Sequence, residues 1–402
     1  MKSIAQNIIK LDSFFKKNEK LLFISAIILI ALRFLWLNYI NWHTGEISNG
    51  LHGVKYWLDT DRYLWGAESI LDGSGLEGRQ FQFIGYILII ALTKLLSLPD
   101  ISIIIIQLGL SVFAAYALYD TVKLISKSKS AGIFALALFM CNPFIVKWHL
   151  YILTESVYTS MLIIFLWRLI NMIQIRKVSN YIWVIISLII TMSVRPNGWI
   201  LLPVFAGFFI YSFSFNKTLK FGLTVSCLIA FIIVLGGANS LRDSVQITTP
   251  VQNLQEGITV WGHPELNLDM PKESGIDNTK WTGGLEYVAK HPLASIKLGA
   301  TRIWYTIIHV RPYHSQLYKI RVLFWIIPAY ILAIISLLQI KKKPEVFASL
   351  SIILAHYIVI ALSYAEHDSR FEIYILPIFY VLAGLGFALI FKHIKNRLLN
   401  SN

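Results

Sequence analysis

Acidic and basic side chains occur together in four short polar stretches of an otherwise apolar sequence. A carboxylate can accept a proton from an attacking hydroxyl group, and a guanidinium group can hold phosphate oxygens through paired N–H donors. Such groups suit chemistry at a surface where a lipid-borne substrate and an aqueous substrate meet. The stretches contain Asp59 with Asp61, His149 with Glu155, Arg195–Gly198 and His367–Arg370.

Each stretch also has a purely structural interpretation. Asp59 or Thr60 could cap a helix, and Glu155 could cap the next one, because a side-chain oxygen satisfies free backbone N–H groups there. Arg195 and Arg370 could anchor helix ends at a lipid interface. The placement of all four stretches on one face is what favours function over these alternatives.

The elements between the stretches are long apolar segments. The chain has 402 residues, of which 56% are hydrophobic and 14% are charged. Runs of about 20 apolar residues can cross roughly 30 Å of hydrocarbon as helices. The sequence therefore predicts an all-α polytopic membrane protein.

The formal net charge of +14 does not indicate a nucleic-acid partner. Lys and Arg cluster in short segments between the apolar runs, which is typical of cytoplasmic loops near anionic lipid. The clusters are Lys123/Lys127/Lys129, Arg168/Arg176/Lys177, Lys217/Lys220, Lys341–Lys343 and Lys392/Lys395/Arg397.

If these clusters are cytoplasmic, the apolar runs predict about ten transmembrane helices, and both termini are then cytoplasmic. Residues 1–20 form the cytoplasmic N-terminus, 21–237 a first transmembrane module, 238–320 an external loop or cap, and 321–402 the last helices and a short tail. The predicted spans are 21–40, 101–122, 131–147, 153–175, 180–194, 198–213, 219–237, 322–340, 346–364 and 371–391.

One apolar segment, residues 81–98, does not fit as a span. Counting it would place all five basic clusters outside, so we predict a helix that lies along the outer interface. Residues 59–72 show apolar positions at helical spacing and predict a second interfacial helix before it. Gly73, Gly75 and Gly78 mark the turn between the two.

Several short motifs follow one another in a fixed order along the chain. They are Asp59–Tyr63 with Ala67 and Leu71, Arg79 with Gly85–Tyr86 and Leu88, Leu153–Ser156, Arg195–Gly198 with Leu201 and Pro203, Tyr287–Pro292, and Arg370–Phe371 with Pro377. In this order they resemble the GT-C glycosyltransferases, in particular the protein O-mannosyltransferase and aminoarabinose-transferase type and its smaller bacterial relatives. The resemblance covers about residues 20–390.

The resemblance implies transfer of a sugar from a polyprenyl-phosphate donor to a hydroxyl group on a glycan, lipid or protein, with inversion. It implies a bacterial inner-membrane location with the active site on the outer face. Asp59 is the expected general base, with Asp61 as its alternative, and Glu155 would orient a sugar hydroxyl or help bind a divalent cation. The expected substrate-binding and lipid-phosphate-binding residues are Arg195, Arg370, Arg79, Tyr63 and His367.

No compact motif identifies a metal, so the need for a divalent metal ion stays open.

Two other functions stay open for a chain of this kind. A polysaccharide polymerase or ligase would use diphosphate-linked oligosaccharides, and the Asp59–Tyr63 helix argues against it. A transporter or flippase would carry charged residues near the middle of its spans, where this sequence has few.

Overall fold

The computed structural model describes residues 54–57, 59–213, 250–277, 281–366 and 370–399, together with parts of 10–32 and 218–226. Most of these residues are helical, and β-type pairing within them is confined to two isolated bridges, Lys55 with Tyr151 and Val260 with Ala365. The prediction of an all-α membrane protein is confirmed.

The helices are numbered here in chain order through the described residues. They are α1 (Thr60–Asp72), α2 (Ile84–Leu95), α3 (Ile101–Ser126), α4 (Lys129–Cys141), α5 (Pro143–Val146), α6 (Thr154–Gln174), α7 (Val178–Val194), α8 (Leu201–Ser212), α9 (Pro250–Gln255), α10 (Trp281–Lys290), α11 (Pro292–Ile308), α12 (Gln316–Trp325), α13 (Ile327–Ser336), α14 (Pro344–Leu362), α15 (Arg370–Ile373) and α16 (Leu376–Leu399). Short 3-10 helices lie at Gly78–Phe83, Lys147–Leu150, Pro196–Ile200, Pro264–Leu266 and Leu337–Gln339.

Five segments of the described part are long and apolar enough to cross a membrane: α3, α6, α12 with α13, α14 and α16. A sixth is added if α4 and the residues from Pro143 to Leu150 form one span with a 48° bend. The bend lies at Pro143, which cannot continue the hydrogen-bond ladder of α4. The helices for spans 180–194 and 198–213 are shorter, and spans 21–40 and 219–237 lie largely outside the described residues. Ten spans therefore stay a prediction.

Helix α6 lies at the centre of the bundle and packs against α3 and α7. Of its 21 residues, those that are not buried fall in its C-terminal half: Trp167, Arg168, Asn171 and Gln174. Its N-terminal half is therefore enclosed by protein on every side. Glu155, in the first turn, is placed deep among neighbouring helices.

The pair α1 and α2 has the helix–turn–helix form that the sequence predicts. Gly73, Gly75 and Gly78 all have positive φ, of 81°, 84° and 50°, a backbone conformation that glycine adopts without steric cost. Helix α2 has 12 residues, so it extends about 18 Å and is shorter than the roughly 30 Å of hydrocarbon. This length agrees with the interfacial placement, which stays a prediction.

Residues 250–308, within the predicted external loop, have a small apolar core of their own. It consists of Val251, Leu254, Met270, Ile276, Tyr287 and Leu298. The buried Arg302 ties this unit to the end of α14. Its Nε donates to the carbonyl of Ile258 at 2.7 Å, and its Nη1 donates to that of Ala361 at 2.9 Å. The Val260–Ala365 bridge joins the same two regions.

Candidate active site

Asp59 is brought to the start of α6 by backbone pairing between two distant segments. The N–H of Lys55 donates to the carbonyl of Leu150 at 2.9 Å, and the N–H of Ile152 donates to the carbonyl of Lys55 at 3.1 Å. The hydroxyl of Thr60 then donates to the carbonyl of Ile152 at 3.0 Å. These three bonds fix the position of Asp59, directly before α1.

Arg195 is placed by a proline-directed turn between α7 and the Pro196–Ile200 helix. The residue before a proline favours an extended backbone, and Arg195 has φ −149° and ψ 145°. Gly198 allows the turn to pack closely, since a Cβ there would lie 2.8 Å from the carbonyl oxygen of Thr191. Asn197 donates to the Tyr374 hydroxyl at 3.0 Å and so links the turn to the residues that follow Arg370.

Four charged side chains from these segments meet in one network. Glu155 Oε1 accepts from Arg195 Nη1 at 2.6 Å and from Arg370 Nε at 3.0 Å. Arg370 Nη2 donates to Asp59 Oδ2 at 3.0 Å. Glu155 is fully buried, and Arg195 and Arg370 are each 8% exposed. We call Asp59, Glu155, Arg195 and Arg370 the charged centre.

The structure bears on the capping alternative for Asp59. Asp59 stands at the N-cap of α1 without a side-chain cap hydrogen bond, whereas Glu155 lies in the first turn of α6, after the N-cap Leu153. Asp59 instead pairs with Arg370 and also with Arg62, whose Nη1 lies 3.0 Å from Asp59 Oδ1. The sequence argument missed Arg62, although its spacing of three residues from Asp59 on a helix is a recognisable signal.

The other predicted site residues are less closely joined. Tyr63 is buried beside Thr154 and packs against Phe83 and Tyr86. Asp61 is exposed on α1, and Arg79 is half-buried in the turn before α2. His367 lies outside the described residues. The roles of these four residues stay predictions.

Tyr63 can act as a hydrogen-bond donor in this setting but not as a base. Its burial, together with the negative charges of Asp59 and Glu155, raises the pKa of its phenol well above the ordinary value. The hydroxyl therefore stays protonated at neutral pH.

Three polar atoms in or beside the charged centre have no hydrogen-bond partner within the described part of the chain. They are Glu155 Oε2, Arg195 Nε and Trp148 Nε1, and each is buried. Buried polar groups are nearly always hydrogen-bonded in folded proteins, so such atoms call for an explanation. One acceptor and two donors are thus available to a ligand with both hydroxyl and anionic oxygens.

The side chains of the charged centre give little indication of a bound metal ion. Among the described residues, no group of three or more His, Cys, Asp or Glu side chains could hold a metal ion. Asp59 and Glu155 each direct at least one oxygen at an arginine instead. We assign no metal to the charged centre.

Comparison with known proteins gives a fold but no family. No protein-family model matches the chain, and no curated protein matches it. Among solved structures it is similar to the archaeal oligosaccharyltransferase AglB from Archaeoglobus fulgidus, which was solved in complex with an inhibitory peptide and a dolichol-phosphate. The TM-score is 0.52 at 13% identity, over 97% of this chain and 52% of AglB. The fold is GT-C-like. The chain spans about half the length of AglB.

Proposed function

We propose that this chain is a membrane glycosyltransferase that moves a sugar from a polyprenyl phosphate to an acceptor hydroxyl group. The observation that carries the proposal is the charged centre itself. It joins two carboxylates and two arginines from four separate segments, all buried or partly buried at the ends of apolar helices. The reaction needs a base for the hydroxyl and cations for the phosphate, and this arrangement contains both.

Asp59 is the proposed general base. It is the more exposed of the two carboxylates, with 28% of its side chain accessible, so an acceptor can reach it. As the acceptor oxygen attacks the anomeric carbon, its proton passes to the Asp59 carboxylate. The bond from that carbon to the phosphate oxygen breaks on the opposite side, so the anomeric configuration inverts.

Arg195 and Arg370 are proposed to hold the phosphate that leaves. The electron pair of the broken bond stays on the phosphate, whose charge increases during the reaction, and guanidinium donors stabilise that charge. Arg370 Nη2 is bonded to Asp59, so a phosphate that binds Arg370 competes for this donor. When the lipid phosphate is bound, this competition weakens the ion pair between Arg370 and Asp59 and leaves the Asp59 carboxylate free to accept the proton.

Glu155 is proposed to orient the sugar, since its free Oε2 can accept a hydrogen bond from a sugar hydroxyl. The polyprenyl chain is proposed to lie in an apolar groove of about 680 Å³ between α8 and α14. The groove begins at Ile200, five residues after Arg195, and includes Phe208, Phe347 and Leu354. It can therefore run from the phosphate site towards the lipid.

The similarity to AglB supports a donor of this kind, because AglB was solved with a dolichol-phosphate, which is itself a polyprenyl phosphate. We place the reaction on the outer face of a bacterial inner membrane, with a cell-envelope glycan or lipid as the first acceptor to test and protein as the second.

The experiment compares envelope glycans and lipids by mass spectrometry from a strain that lacks the gene. The strain is complemented with wild type, Asp59→Asn or the matched control Glu68→Gln. Glu68 lies on α1, the helix that Asp59 precedes; it is exposed and pairs with Lys94. We expect one sugar residue to be lost in the deletion strain and restored by wild type and by Glu68→Gln. Asp59→Asn should lower transfer by about 10²- to 10⁴-fold, the usual contribution of a general base.

Three other results would contradict the proposal in different ways. Full restoration by Asp59→Asn would exclude Asp59 as the base. An unchanged sugar inventory with altered chain lengths would indicate a polymerase. Solute movement in proteoliposomes without any glycosylated product would indicate a transporter.

A further inference from the structure

Trp148 lies beside the charged centre and is not among the site residues that the sequence predicts. It belongs to the short helix Lys147–Leu150, which leads into α6, and is 3% exposed. The next residue, His149, fixes this helix in place through Ser156 Oγ, 2.6 Å from its Nδ1, and Ser111 Oγ, 3.2 Å from its Nε2. The position of the indole ring is therefore set by the surrounding helices.

The indole N–H of Trp148 is a buried donor for which the described residues provide no acceptor. A donor removed from water without a replacement partner is unfavourable, which is why such groups are rare. Trp167 provides the contrast within the same protein, since its Nε1 donates to Asp120 Oδ2 at 3.0 Å. A tryptophan that packs for structural reasons alone can thus have its N–H satisfied in this fold.

Two cations lie against the Trp148 ring. Lys147 Nζ is 4.6 Å from the ring centroid, and Arg370 Cζ is 5.7 Å from it. Arg370 also bonds Glu155 and Asp59, so the indole is in direct contact with the charged centre. Both cations lie over the ring that carries the free N–H, so an anionic oxygen is the acceptor that fits this part of the structure best.

We propose that Trp148 binds the phosphate of the polyprenyl-phosphate donor by donating its indole N–H to a phosphate oxygen. This inference rests on the proposed function and adds a neutral donor to the two arginines. Because the N–H carries no charge, it can bind the phosphate without competing for Asp59 or Glu155.

The test measures how much a polyprenyl monophosphate without a sugar stabilises the detergent-solubilised protein against heat. Trp148→Phe removes the N–H and keeps an aromatic ring. A second variant with β-(3-benzothienyl)alanine at position 148 keeps the bicyclic shape and lacks only the N–H. The matched control is Trp167→Phe. Inorganic phosphate is titrated in parallel, so that a general anion site is distinguished from a donor-lipid site.

We expect both position-148 variants to bind the lipid phosphate about 10- to 100-fold more weakly, the usual effect of one hydrogen bond to a charged group. Without lipid, Trp148→Phe leaves part of a buried site empty and should unfold at a lower temperature than wild type. The benzothienyl variant should unfold close to the wild-type temperature, because it fills the same space and no protein hydrogen bond is lost. Trp167→Phe should show the reverse pattern: a lower unfolding temperature and unchanged lipid binding.

The possible failures are distinguishable. If wild type is not stabilised by the lipid phosphate, the proposed function is wrong whatever Trp148 does. If wild type and both position-148 variants bind the lipid equally, only the role of Trp148 is wrong. If the benzothienyl variant unfolds as early as Trp167→Phe, the N–H has a structural acceptor. If inorganic phosphate stabilises the protein as strongly as the lipid phosphate does, and this effect also depends on Trp148, the site is a general anion site and the assignment to the donor lipid is excluded.

Discussion

Glu155 is the carboxylate on which the two buried arginines converge, so Glu155→Gln tests how far the fold depends on that charge. Glutamine has almost the same shape and can still accept a hydrogen bond. The substitution therefore removes the negative charge with little change in packing. We expect a large loss of stability, together with a loss of transfer.

The magnitude follows from what the substitution leaves behind. Arg370 keeps Asp59 as a counter-ion, whereas Arg195 loses the carboxylate that binds it and keeps Thr154 Oγ1 at 3.1 Å. Removing one partner of a buried ion pair typically destabilises a protein by about 3–5 kcal/mol, because the remaining charge stays buried without compensation. We expect Glu155→Gln to lower the free energy of unfolding by this amount.

Unfolding in mixed micelles, followed by circular dichroism as the fraction of denaturing detergent rises, measures this loss. The matched control is Glu345→Gln. Glu345 is also buried, at 8% exposure, but its carboxylate accepts a hydrogen bond from the neutral side-chain amide of Gln174. We expect the control to lose only about 1 kcal/mol, because glutamine can still accept from Gln174 and the neighbouring Lys343 keeps its bond to the carbonyl of Ile125.

A double-mutant cycle with Arg195→Met completes the test. Removing both charges should destabilise the protein less than the sum of the single effects, with a coupling of about 2 kcal/mol or more. If Glu155→Gln loses less than about 1 kcal/mol, or if the coupling is close to zero, the two charges do not depend on each other and our account of the centre is wrong.

Two further predictions concern the arginines and the turn that places one of them. Arg370→Lys keeps the charge but cannot bond two carboxylates through Nε and Nη2, so we expect transfer to fall at least about tenfold in the glycan assay. Wild-type transfer by this variant would contradict the forked contact. Gly198→Ala forces a Cβ against the backbone of α7 and should destabilise the protein by about 1–3 kcal/mol. Gly109→Ala, where a Cβ meets nothing within 4 Å, should be neutral or slightly stabilising in the same unfolding assay; equal effects of the two substitutions would refute this reasoning.

Much of the helical framework could be predicted from the sequence, because long apolar runs in a membrane protein have few alternatives. The predicted span 153–175 is found as Thr154–Gln174, and 346–364 as Pro344–Leu362. The four polar stretches were also predicted to share one face, and the structure brings a charged residue from each into the centre. Counting the predicted spans from the basic cytoplasmic loops is enough for this prediction, since each stretch then lies at the outer side of the membrane.

The pairing within the centre could not be predicted. Asp59 and Arg370 are 311 residues apart, and no local pattern specifies which oxygen meets which guanidinium. Arg302 was missed for a related reason: its partners are backbone carbonyls, which leave no mark in the sequence. The orphaned N–H of Trp148 is likewise invisible until the neighbouring side chains are in place.

The bonds of Arg302 also determine which parts of this chain could be exchanged with a relative. A chimera that replaced residues 250–308 alone would bring in a new side chain facing the carbonyl of Ala361 and a new residue at the bridge to Ala365. Ala365 lies five residues before Arg370, so a mismatch there would reach the charged centre. The transferable module is therefore discontinuous in sequence, and it comprises residues 250–308 together with 361–366.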